Sequence, residues 1–203
     1  LPATLLSRAG KRSKRELVDV GKHGARDATQ VFANGGVAAL CALGSLAFGE
    51  PLNAAFAGAL AAAAADTWGT EIGTLAKRPA RSILTLRPIA TGLSGGITFA
   101  GTLAEAGGAL VVALVALAAG VAGPVPILIA GIVGAFADSL LGASLQGLRF
   151  CPRCKRRCET DPHVCGTRTT IVRGAAWMTN DAVNVTATLA GAICAGALAR
   201  YWP

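Results

Sequence analysis

Long apolar segments separated by short basic loops constrain this chain more than any other feature of its sequence. A bilayer crossing takes about 20 residues as a helix. On that basis five candidate spans follow one another, at residues 31–48, 52–76, 97–121, 125–148 and 174–199. The residues are 53% hydrophobic and only 15% charged, which is typical of an integral membrane protein and unlike an ordinary soluble domain.

The positions of the basic residues predict the orientation of these spans. Seven Lys and Arg precede the first span, four lie between the second and third, and seven lie between the fourth and fifth. Five spans place these three groups on one side, which the positive-inside rule makes cytoplasmic. We therefore expect an all-α polytopic membrane bundle, one membrane domain over residues 1–203. It would carry a basic cytoplasmic arm at 1–30 and a cytoplasmic Cys/His-rich loop at 149–173.

The formal net charge of +8 has two interpretations. In the first, the charge sets the topology and attracts anionic lipid. In the second, some Arg and Lys side chains hold a phosphorylated substrate. The first interpretation predicts membrane lipid as a partner and the second a phosphorylated substrate, and we expect no nucleic-acid partner.

Three acids lie within or at the edges of the apolar spans, namely Asp66, Asp138 and Asp181. A carboxylate at membrane depth costs about 2.5–3.5 kcal/mol on insertion scales, and such residues usually face a polar cavity. Few basic residues lie within the spans to offset this cost. A bound cation is therefore a natural partner for these acids.

Helical spacing groups the acids with small and polar residues. In the fourth span one stripe comprises Gly134, Asp138, Gly142 and Gln146. In the fifth span one face comprises Asn180, Asp181, Asn184 and Thr188. The glycines are equally explained as a helix-packing seam, and Asn180 and Asp181 as caps of the fifth helix. Asn34 adds an amide near the start of the first span.

In the second span, Asp66 shares a face with Gly69, Thr70 and Gly73. Glu71 is about 140° around an ideal helix from Asp66, at about 100° per residue. Both acids could reach one site only if the helix breaks near Gly69, so Glu71 is a conditional candidate.

The segment RPIATGLSGGIT (residues 87–98) opens the third span. Ser94, Gly95, Gly96 and Thr98 could present backbone N–H groups at a helix N-terminus, which favours an anion. A Gly-rich turn before a helix is also common without any ligand. Glu105, deeper in the same span, either faces the cavity or pairs with a neighbour.

The loop between the fourth and fifth spans reads CPRCKRRCETDPHVCG (residues 151–166). Cys151, Cys154, His163 and Cys165 have the residue types and spacing of a tetrahedral, structural Zn²⁺ site, with Cys158 as a competing ligand. The alternative is a metal-free loop with free thiols, because the cytoplasm is reducing.

These motifs together resemble one family, the membrane proteins of domain of unknown function 92, which include plant phytyl-phosphate kinases and transmembrane protein 19. The resemblance rests on KHGARDATQVFANGG (residues 22–36), ADTWGTEIG (65–73), RPIATGLSGGIT, GAFADSLLGASLQ (134–146) and the loop from CPRC through HVCGT to WMTNDAVN (177–184).

The resemblance implies a helical membrane enzyme that phosphorylates an isoprenoid monophosphate with a nucleoside triphosphate, CTP above all. Under that hypothesis Mg²⁺ binds Asp66, Asp138 and Asp181, and Asn34, Asn180 and Asn184 bond phosphate oxygens or the waters of the metal. Phosphates would contact a second group of residues, comprising Arg26, Arg87, Ser94, Gly95, Gly96, Thr98, Glu71 and Gln146. A homo-oligomer is compatible with this hypothesis. The alternative is a transporter of a cation or an anionic metabolite, since intramembrane acids and Gly-broken helices suit transport too.

Overall fold

The described part of the protein, residues 27–48, 50–76 and 78–202 of a computed structural model, is mostly helical. Its five helices are α1 (Ala28–Phe48), α2 (Glu50–Gly73), α3 (Phe99–Ala118), α4 (Pro124–Ser144) and α5 (Asn180–Leu198). Each predicted span overlaps one of these helices, so the prediction of a helical bundle is confirmed. Most of the basic arm, residues 1–26, lies outside the described residues.

Four of the described helices, α1, α3, α4 and α5, are long and apolar enough to cross a membrane. Helix α2 is not among them; its sequence is rich in alanine and carries Asp66 and Glu71. This helix packs against all four of the others. A helix enclosed by protein does not need large apolar side chains, and its small residues let the neighbouring helices approach closely.

The packing of the bundle is inverted relative to a soluble protein. Its buried core consists largely of alanine, including Ala59, Ala61 and Ala113. The large apolar side chains are on the outside, where Phe32 and Leu43 are exposed. An outer surface of this kind suits lipid and does not suit water.

The helix ends follow from local chemistry. Helix α3 begins after Thr98, whose side chain accepts the N–H of Gly101 at 3.0 Å, and α4 begins with Pro124. Thr179 caps α5 by accepting the N–H of Ala182, so that helix starts six residues later than the predicted fifth span. Gln146 lies beyond the end of α4 and therefore leaves the helical stripe on which the sequence placed it.

The loops hold short strands that hydropathy did not predict. Strands β1 (Arg81–Ser82) and β2 (Gly96–Ile97) pair antiparallel before α3. Strands β3 (Leu148–Cys151), β4 (Arg156–Cys158) and β5 (Thr170–Arg173) form an antiparallel sheet in the order β4-β3-β5. The Cys/His-rich loop thus folds as a small sheet beside the bundle.

The helices define two ends of the bundle. Helices α2 and α4 finish, and α3 and α5 start, at the end that carries residues 78–98 and 145–179; we call this the loop end. The described basic residues of these two loops all lie there, namely Arg78, Arg81, Arg87, Arg149, Arg153, Lys155, Arg156, Arg157, Arg168 and Arg173.

Candidate functional site

A seam of small residues brings α2, α4 and α5 into close contact. A Cβ added to Gly134 of α4 would overlap Ala62 of α2 and would lie 3.0 Å from the carbonyl oxygen of Ala187 in α5. On the other side of the seam, a Cβ on Gly191 would lie 2.7 Å from the carbonyl oxygen of Gly58. The glycines of the predicted stripes therefore serve helix packing, as the structural interpretation of the sequence expected.

One turn from this seam, toward the loop end, the small residues give way to polar ones. Asp66 follows Ala62 by four residues, and Asp138 follows Gly134 by four. Helix α5 runs the opposite way, so Asn184 precedes Ala187 by three. Side chains three or four apart share a helix face. Asp66, Asp138 and the buried Asn184 therefore occupy the same level of the bundle, at the faces where the three helices meet.

Helix α3 adds a fourth polar side chain, Glu105, to this level. A Cβ on Gly69 would lie 2.5 Å from Glu105 Cγ and 2.7 Å from its Oε1, so Glu105 lies directly over α2, less than one turn from Asp66. The charges of Asp66 and Glu105 both act on Asp138, as does that of Glu159 from the loop. Glu105 thus belongs to an acidic cluster, which answers the question that its sequence position left open.

The acidic cluster contains an acceptor without a donor. The Oδ2 atom of Asp138 is buried, and no hydrogen bond reaches it from residues 27–48, 50–76 or 78–202. A buried carboxylate oxygen in this state costs free energy unless a cation or a donor completes it. Carboxylate oxygens are also the ligands that hard divalent cations prefer. A cation, or a donor from a bound substrate, would complete this oxygen.

Next to the cluster, the turn before α3 contacts the C-terminal turn of α4. Gly95, at φ +77°, lies so close to Ala143 that a Cβ there would be 2.5 Å from the Ala143 backbone nitrogen. Ser94 consequently lies beside Gln146, whose Nε2 donates to Ser94 Oγ at 2.8 Å. The structure thus brings together two residues that the sequence predicted separately.

The anion at this turn is a carboxylate of the protein itself. Glu159 accepts the Ser94 N–H through Oε1 at 2.7 Å and the Ser94 hydroxyl through Oε2 at 3.0 Å. Gln146 Nε2 also donates to Oε2, at 2.9 Å. Burial raises the pKa of Glu159, while the hydrogen bonds from Ser94 and the charge of Arg173 act against that rise. Nothing in the sequence pattern had singled out Glu159.

The other predicted anion-binding groups of this turn have structural partners. The Gly96 N–H donates to the carbonyl of Leu93 at 3.2 Å, and the Thr98 hydroxyl caps α3. Arg87 is exposed at the loop end. Arg26 lies outside the described residues.

Two predicted residues begin α5. Thr179, and not Asn180 or Asp181, is the N-cap, so capping does not account for these two polar residues. Asn180 is exposed and Asp181 half-buried in the first turn of the helix. Deeper in α5, the Thr188 hydroxyl donates to the carbonyl of Asn184 at 2.9 Å.

Asn34 lies on α1, where its Nδ2 donates to the carbonyl of Gln30 at 2.9 Å. The preceding residue, Ala33, meets α5 at Thr188, whose hydroxyl lies 3.5 Å from the Ala33 carbonyl oxygen. Asn34 is thus near the α1–α5 contact. No hydrogen bond joins it to the acidic cluster among the described residues.

Helix α2 runs unbroken from Glu50 to Gly73, so the condition that would bring Glu71 to the face of Asp66 is not met. Its side chain points about 140° away from that of Asp66 around the helix axis. We therefore leave Glu71 out of the site.

The Cys/His loop gathers the four predicted ligands. The ligand atoms of Cys151, Cys154, His163 and Cys165 all lie within 4.8 Å of one another. Cys151 Sγ and Cys165 Sγ are 3.6 Å apart, and His163 Nδ1 is 3.2 Å from Cys165 Sγ. Zn–S bonds of about 2.3 Å in a tetrahedron place two sulfurs about 3.8 Å apart. The cluster could therefore hold a metal ion such as zinc.

Cys158, the competing candidate, is buried outside this cluster, with Sγ 3.8 Å from the Thr160 carbonyl oxygen. Within the cluster, hydrogen bonds from the side chains of Thr167 and then His163 lower the pKa of Cys165 to about 5. A thiol that ionises readily is suited to binding metal, since the thiolate is the ligand.

Comparison with known proteins places this bundle in a family. The model of a family described as "Integral membrane protein DUF92" matches residues 1–192. Protein PGR of Arabidopsis thaliana is 29% identical over 181 residues, covering 74% of this chain and 63% of the plant protein. An uncharacterized membrane protein of Methanocaldococcus jannaschii is 35% identical over 150 residues, covering 70% of this chain and 60% of the archaeal protein.

The matches therefore span about 60% of the length of these two relatives. No solved structure matches the chain. The family match, the apolar outer surface and the four candidate spans all indicate the same class of protein. The chain belongs to the DUF92 family of integral membrane proteins.

Proposed function

We propose that this protein is a membrane kinase that transfers a phosphoryl group from a nucleoside triphosphate, CTP above all, to an isoprenoid monophosphate, giving the isoprenoid diphosphate and releasing the nucleoside diphosphate. The single observation that carries the proposal is the acidic cluster, in which Asp138 Oδ2 is buried without a donor from the described residues. Keeping such a group inside a membrane bundle has a cost, and a catalytic cation explains why it is there.

The proposal assigns Mg²⁺ to the cluster because this ion prefers oxygen ligands, such as carboxylates, and keeps several of its waters. Asp66 and Asp138 would bind the ion, with Asp181 as a third carboxylate and Asn184 bonding its waters. When bound, the ion neutralises the charge that develops on the transferred phosphoryl group. The acceptor is already an anionic phosphate, so we assign no general base.

The protein itself would position the two substrates, which is most of what phosphoryl transfer requires. Basic side chains of the loop end, such as Arg87 and Arg26, would attract and hold the phosphates of the nucleotide. Asn34 and Asn180 would bond phosphate oxygens. The Ser94 turn and Gln146 border the cluster and complete the polar wall of the site.

The isoprenoid chain would enter from the lipid. Gly35 and Gly36 of α1 have no atom within 4 Å of a Cβ built on either residue. They leave open space next to Asn34. A long apolar chain would lie along this face of α1, with its phosphate at the loop end.

We assign the loop end to the cytoplasm. The described basic residues of the two long loops cluster at this end, whereas Arg200 follows α5 at the opposite end. The positive-inside rule favours the cytoplasm for the end that carries more Lys and Arg. The nucleotide would thus reach the acidic cluster from the cytoplasmic side.

The test is an assay of the purified full chain in lipid nanodiscs with Mg²⁺, CTP or ATP, and a panel of isoprenyl monophosphates. We expect formation of the diphosphate. Asp138→Asn should reduce kcat/KM by at least about 100-fold, equivalent to about 2.7 kcal/mol of transition-state stabilisation. Glu71→Gln, which removes an acid on another face of α2, should retain activity.

If no pair of donor and acceptor yields diphosphate, the proposal fails. Flux of a cation or an anionic metabolite into proteoliposomes, abolished by Asp138→Asn, would instead establish the transporter.

A further inference from the structure

The segment that carries Glu159 is held at both ends by the Cys/His cluster. Cys151 and Cys154 flank the turn between β3 and β4, and His163 and Cys165 follow Glu159 by four and six residues. A metal ion bound by all four would join the two ends of residues 155–162. Closing a segment in this way reduces the conformations available to it.

Glu159 leaves β4 directly after the buried Cys158 and contacts the bundle, where it meets Ser94 across 65 residues of sequence. The contact is between different parts of the fold, since Ser94 precedes α3 and Gln146 follows α4. A single carboxylate therefore joins the Cys/His loop to both connections that border the acidic cluster.

The chemistry of Glu159 decides the orientation of the Gln146 side chain. An ionised carboxylate only accepts hydrogen bonds, so the atom of Gln146 that faces it must be the donor Nε2. The Oε1 atom is consequently turned away from Glu159. It is buried and has no donor within the part of the chain that the structure describes, and Gln146 as a whole is only 3% exposed.

A buried amide oxygen without a donor is costly, and without Glu159 the amide could turn over. Its NH₂ group would then take the place of Oε1. The side chain would offer donors where it now offers an acceptor, on the border of a site that is rich in carboxylates.

We propose that Glu159 is a positioning residue: it fixes the amide orientation of Gln146 and the place of Ser94, and the Cys/His cluster holds Glu159 in that position. The proposal deepens the proposed function and rests on it for its catalytic meaning, because Gln146 borders the acidic cluster and would offer Oε1 as an acceptor to the substrate or its waters. The geometric claim itself is measurable without any substrate.

The sequence offers a clean probe, since it contains two glutamines, Gln30 and Gln146. We would label the side-chain amides of glutamine with ¹⁵N in the full chain, in nanodiscs loaded with Zn²⁺, and measure hydrogen exchange by NMR. We expect the Gln146 NH₂ protons to exchange at least about 10-fold more slowly than those of Gln30.

Variants test the two steps separately. Glu159→Ala should speed the exchange of the Gln146 NH₂ protons and leave that of Gln30 unchanged. Glu71→Gln also removes a carboxylate, but it should leave the exchange of both glutamines unchanged. Cys154→Ser, or removal of zinc by a chelator, should weaken the protection, whereas Cys41→Ser on α1 should preserve it.

Equal exchange of the two glutamines in the unsubstituted protein would overturn the proposal, and so would protection that survives Glu159→Ala. Protection that survives both Cys154→Ser and chelation would overturn the role of the cluster. A protected Gln146 in a protein without kinase activity would refute the proposed function and leave this inference intact.

Discussion

The side chain of Glu105 on α3 lies directly over Gly69, where α2 has no side chain. A Cβ at Gly69 would be 2.5 Å from Glu105 Cγ. The same pair of helices is close again at Gly108, where a Cβ would meet the Ala64 carbonyl oxygen at 2.9 Å. The absence of side chains at Gly69 and Gly108 is what allows α3 to carry Glu105 to the acidic cluster.

The adjacent glycines of α3 give a matched test of this packing. Gly108→Ala should destabilise the protein by about 1–3 kcal/mol, because backbone atoms of α2 cannot move aside. Gly107→Ala meets only the Trp68 ring at 3.8 Å and should be neutral or slightly stabilising. The measurement is thermal unfolding in nanodiscs, and an equal effect of the two substitutions would contradict the close approach of α2 and α3.

Asp138→Asn should separate stability from cation binding. Replacing the carboxylate removes repulsion from Asp66, Glu105 and Glu159, so the thermal midpoint without divalent cations should stay the same or rise. Mg²⁺ at about 100 times its Kd should stabilise the unsubstituted protein by about 2.7 kcal/mol. That stabilisation should disappear in Asp138→Asn. A Mg²⁺ shift that persists in the variant would show that Asp138 is not a ligand.

The Cys/His cluster should bind one zinc ion per chain. Cys154→Ser removes a ligand and should lower the zinc content, as metal analysis of the purified protein would measure. Cys158→Ser should leave the content unchanged, because Cys158 lies outside the cluster. Zinc content that depends on Cys158 and not on Cys154 would contradict the arrangement of the loop.

The Glu159 contact should depend on pH. Burial raises the pKa of Glu159 above its ordinary value of 4.5, and the charge of Arg173 opposes this rise. The charges of Glu159 and Asp138 also interact. A folded-state pKa above the unfolded one means that protonation favours the folded state. Burial of the charge therefore does not penalise the folded state below pH 4.5, and this advantage is lost as the pH rises through the folded pKa, where the ionised carboxylate accepts the hydrogen bonds of Ser94 and Gln146.

Thermal midpoints measured from pH 4 upward would show this loss. Glu159→Gln, which stays neutral, should remove that part of the pH dependence. A pH profile that Glu159→Gln leaves unchanged would contradict the buried position of this carboxylate.

Much of this architecture follows from local sequence. The apolar segments determine five helices because a backbone in an apolar medium must satisfy its own hydrogen bonds. The spacing of Cys151, Cys154, His163 and Cys165 predicted that these four side chains cluster, because they lie close in sequence, on two short turns. The acids within the apolar spans indicated a polar site because a carboxylate at membrane depth costs free energy.

What the sequence could not determine is which polar groups meet. Helical periodicity shows which residues share a face of one helix, but not how the neighbouring helix is rotated against it. The position of Glu105 in the acidic cluster therefore depended on the close packing of α2 and α3 at Gly69. Glu71 and Asp66 stand five residues apart, yet the unbroken helix separates them. In the sequence, Glu159 is one acidic residue in a basic loop. Only the folded loop, with its sheet β4-β3-β5, shows that it contacts Ser94 and Gln146. Sequence alone thus determined the helices and the Cys/His cluster, where the interactions are local. Only the tertiary structure decided the composition of the acidic site, because its members come from separate helices and a loop whose relative positions are set by packing.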